Sequence, residues 1–403
     1  MISIEEALNQ IRAHVRPLAS ERVPLADALD RVLAQDVASD IDSPPHDKSI
    51  VDGYAVRSAD LSSPATTLSV LEEIVAGAVP KQAVVAGTAT RIMTGAPVPA
   101  GADAVVMVEQ TELVGKDRVR IEFQRIAPGQ NIMPRAASMR RDETVLQAGR
   151  ALRPMEIGLL AEVGQSEVSV LRRPRVAVLP TGNELVSPAE IPAAGQIRNS
   201  NGVMLLSAVR RAGGEPTDLG VGRDDRGSLR RLIAGGLHGD MLLISGGVSA
   251  GVLDLVPAVL AELGVRQVFH KVNIKPGKPL WFGVLETDGT AKLVFGLPGN
   301  PVSSLVCFEL FVRPATRALA GHPFEPRPMA AARLSADFQQ RGDRVTYHPA
   351  RLHRSAGSTS AEPLLSKGSG DLRTLAAADG LIRFDSGTRL FKAGETVEIV
   401  TLD

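Results

Sequence analysis

At 403 residues the chain exceeds the roughly 250–300 residues at which single cores stop growing, so several domains are expected. Lys+Arg and Asp+Glu both number 45 and aromatic residues make up 3%, which argues against a nucleic-acid binder with its basic excess and stacking platforms. The single Cys307 excludes an internal disulfide and a cysteine metal cage, and no apolar run of about 20 residues marks a membrane span.

The N-terminal MISIEEALNQ lacks the basic and apolar regions of a signal peptide, so a cytoplasmic location is the expectation. Residues 3–35 read as helical, with Ser3 as N-cap and Glu6 three residues on. Residues 50–150 alternate short β-prone runs (Leu68–Val75, Ala104–Val108, Val119–Phe123) with Gly/Pro turns and read as a β-rich domain. Arg153-Pro154-Met155-Glu156 opens a second short helix through Val163.

From Arg175 strands and helices alternate. Strands are expected at Val176–Leu179, Asp218–Val221, Met241–Ile244, Gln267–Val272 and Lys292–Phe295. Helices are expected at Val203–Arg211, Ser228–Ala234, Leu255–Leu263 and Pro301–Leu319. This rhythm implies a mostly parallel sheet covered on both faces, with ligands at the carboxyl ends of its strands. After His322-Pro323 the β-patterned pieces Ala332–Leu334, Arg344–His348, Leu381–Phe384 and Thr396–Thr401 predict a small β domain. The fold class is multidomain α/β plus β.

Four loops of the α/β region carry the chemistry. Leu293–Ser304 (LVFGLPGNPVSS) packs a strand, a turn and a helix start into twelve residues. Pro298-Gly299 is the pair a type II turn prefers, Asn300 suits the N-cap and Pro301 the first helical position. In Ser245-Gly246-Gly247-Val248-Ser249-Ala250-Gly251 glycine lets backbone N–H groups approach an anion. Three lysines, Lys271, Lys275 and Lys278, lie within eight positions around Pro276-Gly277 and suit a phosphate. Pro180-Thr181-Gly182-Asn183-Glu184 sets a carboxylate just past a strand end. Glu184, Asp224, Asp225 and Asp254 lie beside these loops, and carboxylates among lysines and free N–H groups suit a Mg²⁺-phosphate ligand. No HExxH or clustered-His pattern points to zinc. Cys307, among Leu305, Val306 and Phe308, reads as a core thiol.

At these residues the chain resembles the molybdopterin molybdenumtransferase family, to which the gephyrin E domain is related. The resemblance rests on SIVDGYAVR at 49–57, RIMTGAPVPAGADAVVMVE at 91–109, PTGNEL at 180–185, IRNSNG at 197–202, GGVSAGVLD at 246–254, KVNIKPGKP at 271–279 and GLPGNPVS at 296–303. It implies a discontinuous helical domain (1–45 and 146–173), a β-rich domain (46–145), a molybdopterin-binding α/β domain (174–322) and a C-terminal β domain (323–403). It further implies a homodimer with a composite active site, and a reaction that takes adenylylated molybdopterin and molybdate to molybdenum cofactor and AMP with Mg²⁺. A molybdopterin adenylyltransferase is the upstream partner it implies. Carried over by motif, Asp52, Thr94, Glu184, Asp224 and Asp254 are the catalytic candidates, with Glu184 and Asp254 on the metal. Ser245, Gly246, Gly247, Ser249, Lys271, Lys275, Lys278, Pro298, Asn300 and Pro301 are the binding candidates. Departures are Val51 where Met is common, Asn183 where Asp is common, and Ser138 in place of an acidic residue. The alternative is a catalytically impaired molybdopterin-binding scaffold. Retention of the acidic and lysine positions argues against it.

Overall fold

The computed structural model describes every residue except 62, 64, 123, 124, 248–254, 288, 356 and 403. The chain forms two compact units. One comprises Val23–Leu29 and Gln35–Val168; the other comprises Met1–Arg22, Asp30–Ala34 and Ser169–Asp403.

The smaller unit is built on a six-stranded sheet. Its order is Ala104–Met107, Gly53–Val56, Thr88–Ile92, Thr66–Ile74, Arg118–Ile121, Thr111–Leu113. All ladders are antiparallel except that between Thr66–Ile74 and Thr88–Ile92. Tyr54, Val56, Leu68, Val106 and Ile121 form its core. The strand expected at Val119–Phe123 ends at Ile121, and Phe123 lies outside the described residues. The short helix is Pro154–Glu162, as its opening Pro and Glu156 foretell.

In the larger unit the first helix is Ile4–His14, and Ser3 Oγ accepts the Glu6 N–H at 3.0 Å. The expected helix over 3–35 is therefore too long. Pro17 disfavours helical geometry at Arg16, and the chain turns to the strand Ser20–Pro24 instead. Ala7 and Ile11 face the α/β core.

The central sheet has the order Glu215–Asp218, Arg175–Pro180, Met241–Ser245, Thr290–Leu297, Trp281–Thr287, Arg266–His270. The first four strands are parallel and the last two run antiparallel as a hairpin edge. Both faces are covered, and the strand period of two shows in the cores. Val176, Val178, Leu243 and Phe295 pack with the helices Ser200–Arg211 and Pro301–Cys307. Ala177, Leu179, Leu242 and Val294 pack with Arg226–Gly236 and Leu255–Glu262. The strand Trp281–Thr287 escapes the sequence reading because Gly283 interrupts its apolar run. The structure needs that glycine: a Cβ there would lie 2.4 Å from the Trp281 ring.

The helix expected over Pro301–Leu319 is helical throughout but not uniformly α. A π segment, Phe308–Val312, separates Pro301–Cys307 from Arg313–Leu319. Pro314 has no N–H to give the carbonyl four residues back, so the ladder must shift there.

The C-terminal sheet closes on itself. Val345–Ser355 pairs with Ser358–Pro363, which pairs with Met329–Leu334, then Thr396–Thr401, then Gly380–Phe384 and back to Val345–Ser355. Closure leaves no free edge among these five strands. Ile274–Lys275 adds in parallel to Val345–Ser355, tying the lysine loop to this barrel. The multidomain α/β plus β expectation holds.

Candidate functional site

Three parallel strands of the central sheet end together. Pro180 pairs with Ser245, and Ser245 with Leu297, so the loops that follow start at one level. A cavity of about 360 Å³ opens there, lined by Thr181, Gly182, Glu184, Asp224, Ser245, Gly246, Gly247, Gly299 and Pro301 among others. This is where ligands sit in such folds.

The glycines of this cavity answer to close packing. Gly246 and Gly247 both adopt φ in the left-handed region, +94° and +64°. A Cβ at Gly246 would meet the Thr181 carbonyl oxygen at 2.7 Å. Glu184 folds back over Gly182, its carboxylate about 2.5 Å from where a Cβ would stand. Arg223 braces the same loop by donating to the carbonyls of Gly182, Asn183 and Leu185. Asn183 Oδ1 accepts the Asp224 N–H at 3.0 Å, which fixes the two carboxylate-bearing loops together.

Asn201 is the most telling lining residue. Its Nδ2 donates to Ser245 Oγ at 2.9 Å and to the Gly299 carbonyl at 2.6 Å. The carbonyl partner settles which end of the amide is nitrogen. Its Oδ1 is buried and has no hydrogen-bond partner among the described residues. A buried acceptor left open at a cavity wall is costly unless a ligand donor meets it. Ser200 and Asn201 also form the first turn of the helix Ser200–Arg211, whose N-terminus favours an anion.

A second cavity of about 620 Å³ lies between the lysine loop and the C-terminal barrel. Lys275, Lys278, Arg341 and Arg344 line it with Pro298, Asn300 and Ser369. Gly277, at φ +117°, lets the lysine turn sit on the core: a Cβ there would lie 2.6 Å from Cys307 Sγ. Burial pushes the Cys307 thiol far above its usual range, so it packs rather than reacts. Burial also lowers His348, with the Lys275 charge acting in the same direction, so this wall presents a neutral imidazole.

The turn Pro298–Pro301 separates the two cavities. Gly299 and Pro301 face the first, Pro298 and Asn300 the second. Ser304 Oγ donates to the Pro298 carbonyl at 2.6 Å and holds the turn. Two details differ from the sequence reading. Gly299 is not in the left-handed region, so the turn is not type II. Asn300 sits at the N-cap, yet its side chain makes no capping bond.

In the smaller unit Asp52 and Thr94 meet. Asp52 Oδ1 accepts the Thr94 N–H at 2.7 Å and its hydroxyl at 2.8 Å. These two bonds, the backbone one first, hold the exposed Asp52 carboxyl below its ordinary range. Asp52 therefore stays anionic well into acid.

Comparison with known proteins bears on every one of these segments. Residues 2–164 match the MoeA N-terminal region (domain I and II), 177–318 a probable molybdopterin binding domain, and 331–402 the MoeA C-terminal region (domain IV). A molybdopterin molybdenumtransferase of Staphylococcus aureus strain Mu50 is 33% identical over 405 residues, covering 99% of this chain and 95% of its own. The chain belongs to the molybdopterin molybdenumtransferase family. A solved molybdopterin biosynthesis MoeA protein from Pyrococcus horikoshii shares 34% identity at TM-score 0.84, covering 100% of this chain and 99% of its own. A second, from strain OT3, shares 30% at TM-score 0.83 over the whole of both chains.

Placed on the structure, the family's motif residues fall into three groups. Glu184, Asp224, Ser245, Gly246, Gly247 and Pro301 share the first cavity. Lys275, Lys278, Pro298 and Asn300 share the second. Asp52 and Thr94 form the pair in the smaller unit. Lys271 lines neither cavity; its backbone N–H pairs with the Leu280 carbonyl. Ser249 and Asp254 lie outside the described residues. Among the described residues no three His, Cys, Asp or Glu side chains gather as a metal cluster. Sequence reasoning passed over Asn201, Arg223, Arg341 and Arg344. Asn201 was visible only as part of the IRNSNG motif, and the arginines lie in loops with no spacing signal.

Proposed function

We propose that this chain catalyses the molybdenum-insertion step of molybdenum-cofactor synthesis, taking adenylylated molybdopterin and molybdate to molybdenum cofactor and AMP. The observation that carries this reading is the Pro298–Pro301 turn standing as a common wall between two anion-suited cavities. One reactant occupies each side. The first cavity offers the Ser200 helix N-terminus and the Gly246-Gly247 turn to a phosphate, and the open Asn201 Oδ1 to an N–H donor of the attached ring system. The second offers Lys275 and Lys278, with Arg341 and Arg344, to molybdate. Holding two anions side by side works by positioning and charge neutralisation, the terms that dominate when reactants repel in solution.

Glu184 and Asp224 are carboxylates on one cavity, a hard oxygen donor set that fits Mg²⁺ retaining most of its waters, with Asp254 as a further ligand by motif. The ion would neutralise charge on the phosphates. Asp52, kept anionic by Thr94, completes the site from a second subunit, so the working form is a homodimer with composite sites in the cytoplasm. A molybdopterin adenylyltransferase supplies its substrate.

The test is direct. Purified protein incubated with adenylylated molybdopterin, Mg²⁺ and molybdate should release AMP and yield cofactor that activates an apo-molybdoenzyme. Binding of the pterin without AMP release would replace the enzyme reading with that of a scaffold.

A further inference from the structure

A third cavity, of about 340 Å³, shares no lining residue with the two described above. It gathers Arg31, Arg173, Arg210, Arg211 and Arg317, with His322 and Asp30. We propose that it binds a tetrahedral oxyanion of two negative charges: phosphate, a phosphate monoester or molybdate.

Helix ends explain only part of this cluster. Arg210 and Arg211 close the helix Ser200–Arg211, and Arg317 lies in the last turn of Arg313–Leu319. Cations there offset the helix dipole. Arg31 and Arg173 lie on loops remote in sequence, and no dipole calls for them.

Several of the guanidinium groups are already held in place. Arg31 is 8% exposed and bonds the Leu171 carbonyl through two nitrogens, with Glu21 as its ion-pair partner. Arg211 donates to the Leu402 carbonyl. Arg317 donates to His322 Nδ1 at 3.2 Å, which requires a neutral imidazole. Burial, with the Arg317 charge acting in the same direction, lowers the imidazole's proton affinity, so His322 acts as a prop for Arg317 rather than as a charge.

Arg173 is half-buried and Arg210 exposed, and neither has a carboxylate partner among the described residues. Among the cavity's described lining residues five arginines face one carboxylate, Asp30; with Glu21, the ion-pair partner of Arg31, also counted, three positive charges remain in surplus among these groups. Unliganded, these groups repel one another. A dianion relieves that repulsion and takes bidentate guanidinium bonds that a monovalent ion cannot match. The cavity volume suits a free tetrahedral ion or one phosphate group.

Equilibrium dialysis at low salt with labelled phosphate, and separately with labelled molybdate, tests this on the full chain. Wild type and a Lys275→Ala/Lys278→Ala variant should both retain this site. Arg173→Ala/Arg210→Ala should weaken it tenfold or more, since a charge-assisted contact is worth about a factor of ten. The single Arg210→Ala variant, at an exposed position, should weaken it in part and guards against misfolding of the double variant. A preference for phosphate or for molybdate identifies the source, and either supports the site. Wild-type binding in both arginine variants, or loss confined to the lysine variant, would overturn it.

Discussion

Lys275 and Lys278 flank a turn whose glycine is pressed against the core, so their ammonium groups are aimed by backbone rather than by side-chain contacts. A charge-assisted bond to an oxyanion is worth about 1.5–3 kcal/mol. Lys275→Ala or Lys278→Ala is therefore expected to weaken binding of the anionic reactants about ten- to a hundred-fold at fixed salt. Both lysines are exposed, so thermal unfolding should change little. Calorimetric titration with adenylylated molybdopterin and with molybdate checks this, and wild-type affinity for both ligands would remove the lysines from the site. Asp52 offers a second test at this scale. Its carboxyl is lowered by the Thr94 N–H first and the Thr94 hydroxyl second. Thr94→Val removes only the hydroxyl, so the Asp52 pKa should rise part of the way toward the ordinary carboxylate value of about 3.9. Carboxyl NMR across an acid titration measures it, and an unmoved midpoint would show that the hydroxyl contributes nothing.

The lysine loop and the helix Pro301–Cys307 behave as one packed element. Gly277 and Cys307 Sγ are in contact distance, and the thiol donates weakly to the Gly277 carbonyl at 3.6 Å. Gly277→Ala would add a Cβ 2.6 Å from the sulfur at a φ of +117°. Clash and backbone strain together should cost about 2–4 kcal/mol in urea unfolding. Cys307→Ala in the same chain should return the steric share and leave the strain, a coupling that a double-mutant cycle reads out. Additive effects would mean that the two residues do not press on each other. Much of this element was legible beforehand: the apolar run, the Pro-Gly pairs and a buried thiol. The contact was not, because residues 277 and 307 are thirty positions apart and only the sheet and barrel bring them together.

For the whole molecule, the proposed composite site makes a quantitative prediction. Asp52 lies in one compact unit and Glu184 in the other. If the working site joins these groups from different subunits, mixing Asp52→Ala with Glu184→Ala protein should restore roughly a quarter of wild-type AMP release. Random pairing makes half the dimers mixed, and each mixed dimer keeps one intact site of two. Native mass spectrometry would verify the exchange, and no recovery after exchange would sink the shared site.

Local chemistry alone determined the α/β rhythm from Arg175, the β-rich stretches on either side, the Ser3 and Pro154 helix starts and the loops that carry glycine, lysine and carboxylate. Periodicity and turn residues act over a few positions, and a sequence displays them openly. Tertiary structure decided the rest. It placed Gly283 inside a strand against Trp281, closed the C-terminal barrel and sorted the anion-suited residues into separate cavities. It also left Asn201 Oδ1 without a partner among the described residues and drew five arginines from four chain segments to one cavity. Burial and electrostatic surplus depend on which distant segments share a space, and no local pattern encodes that.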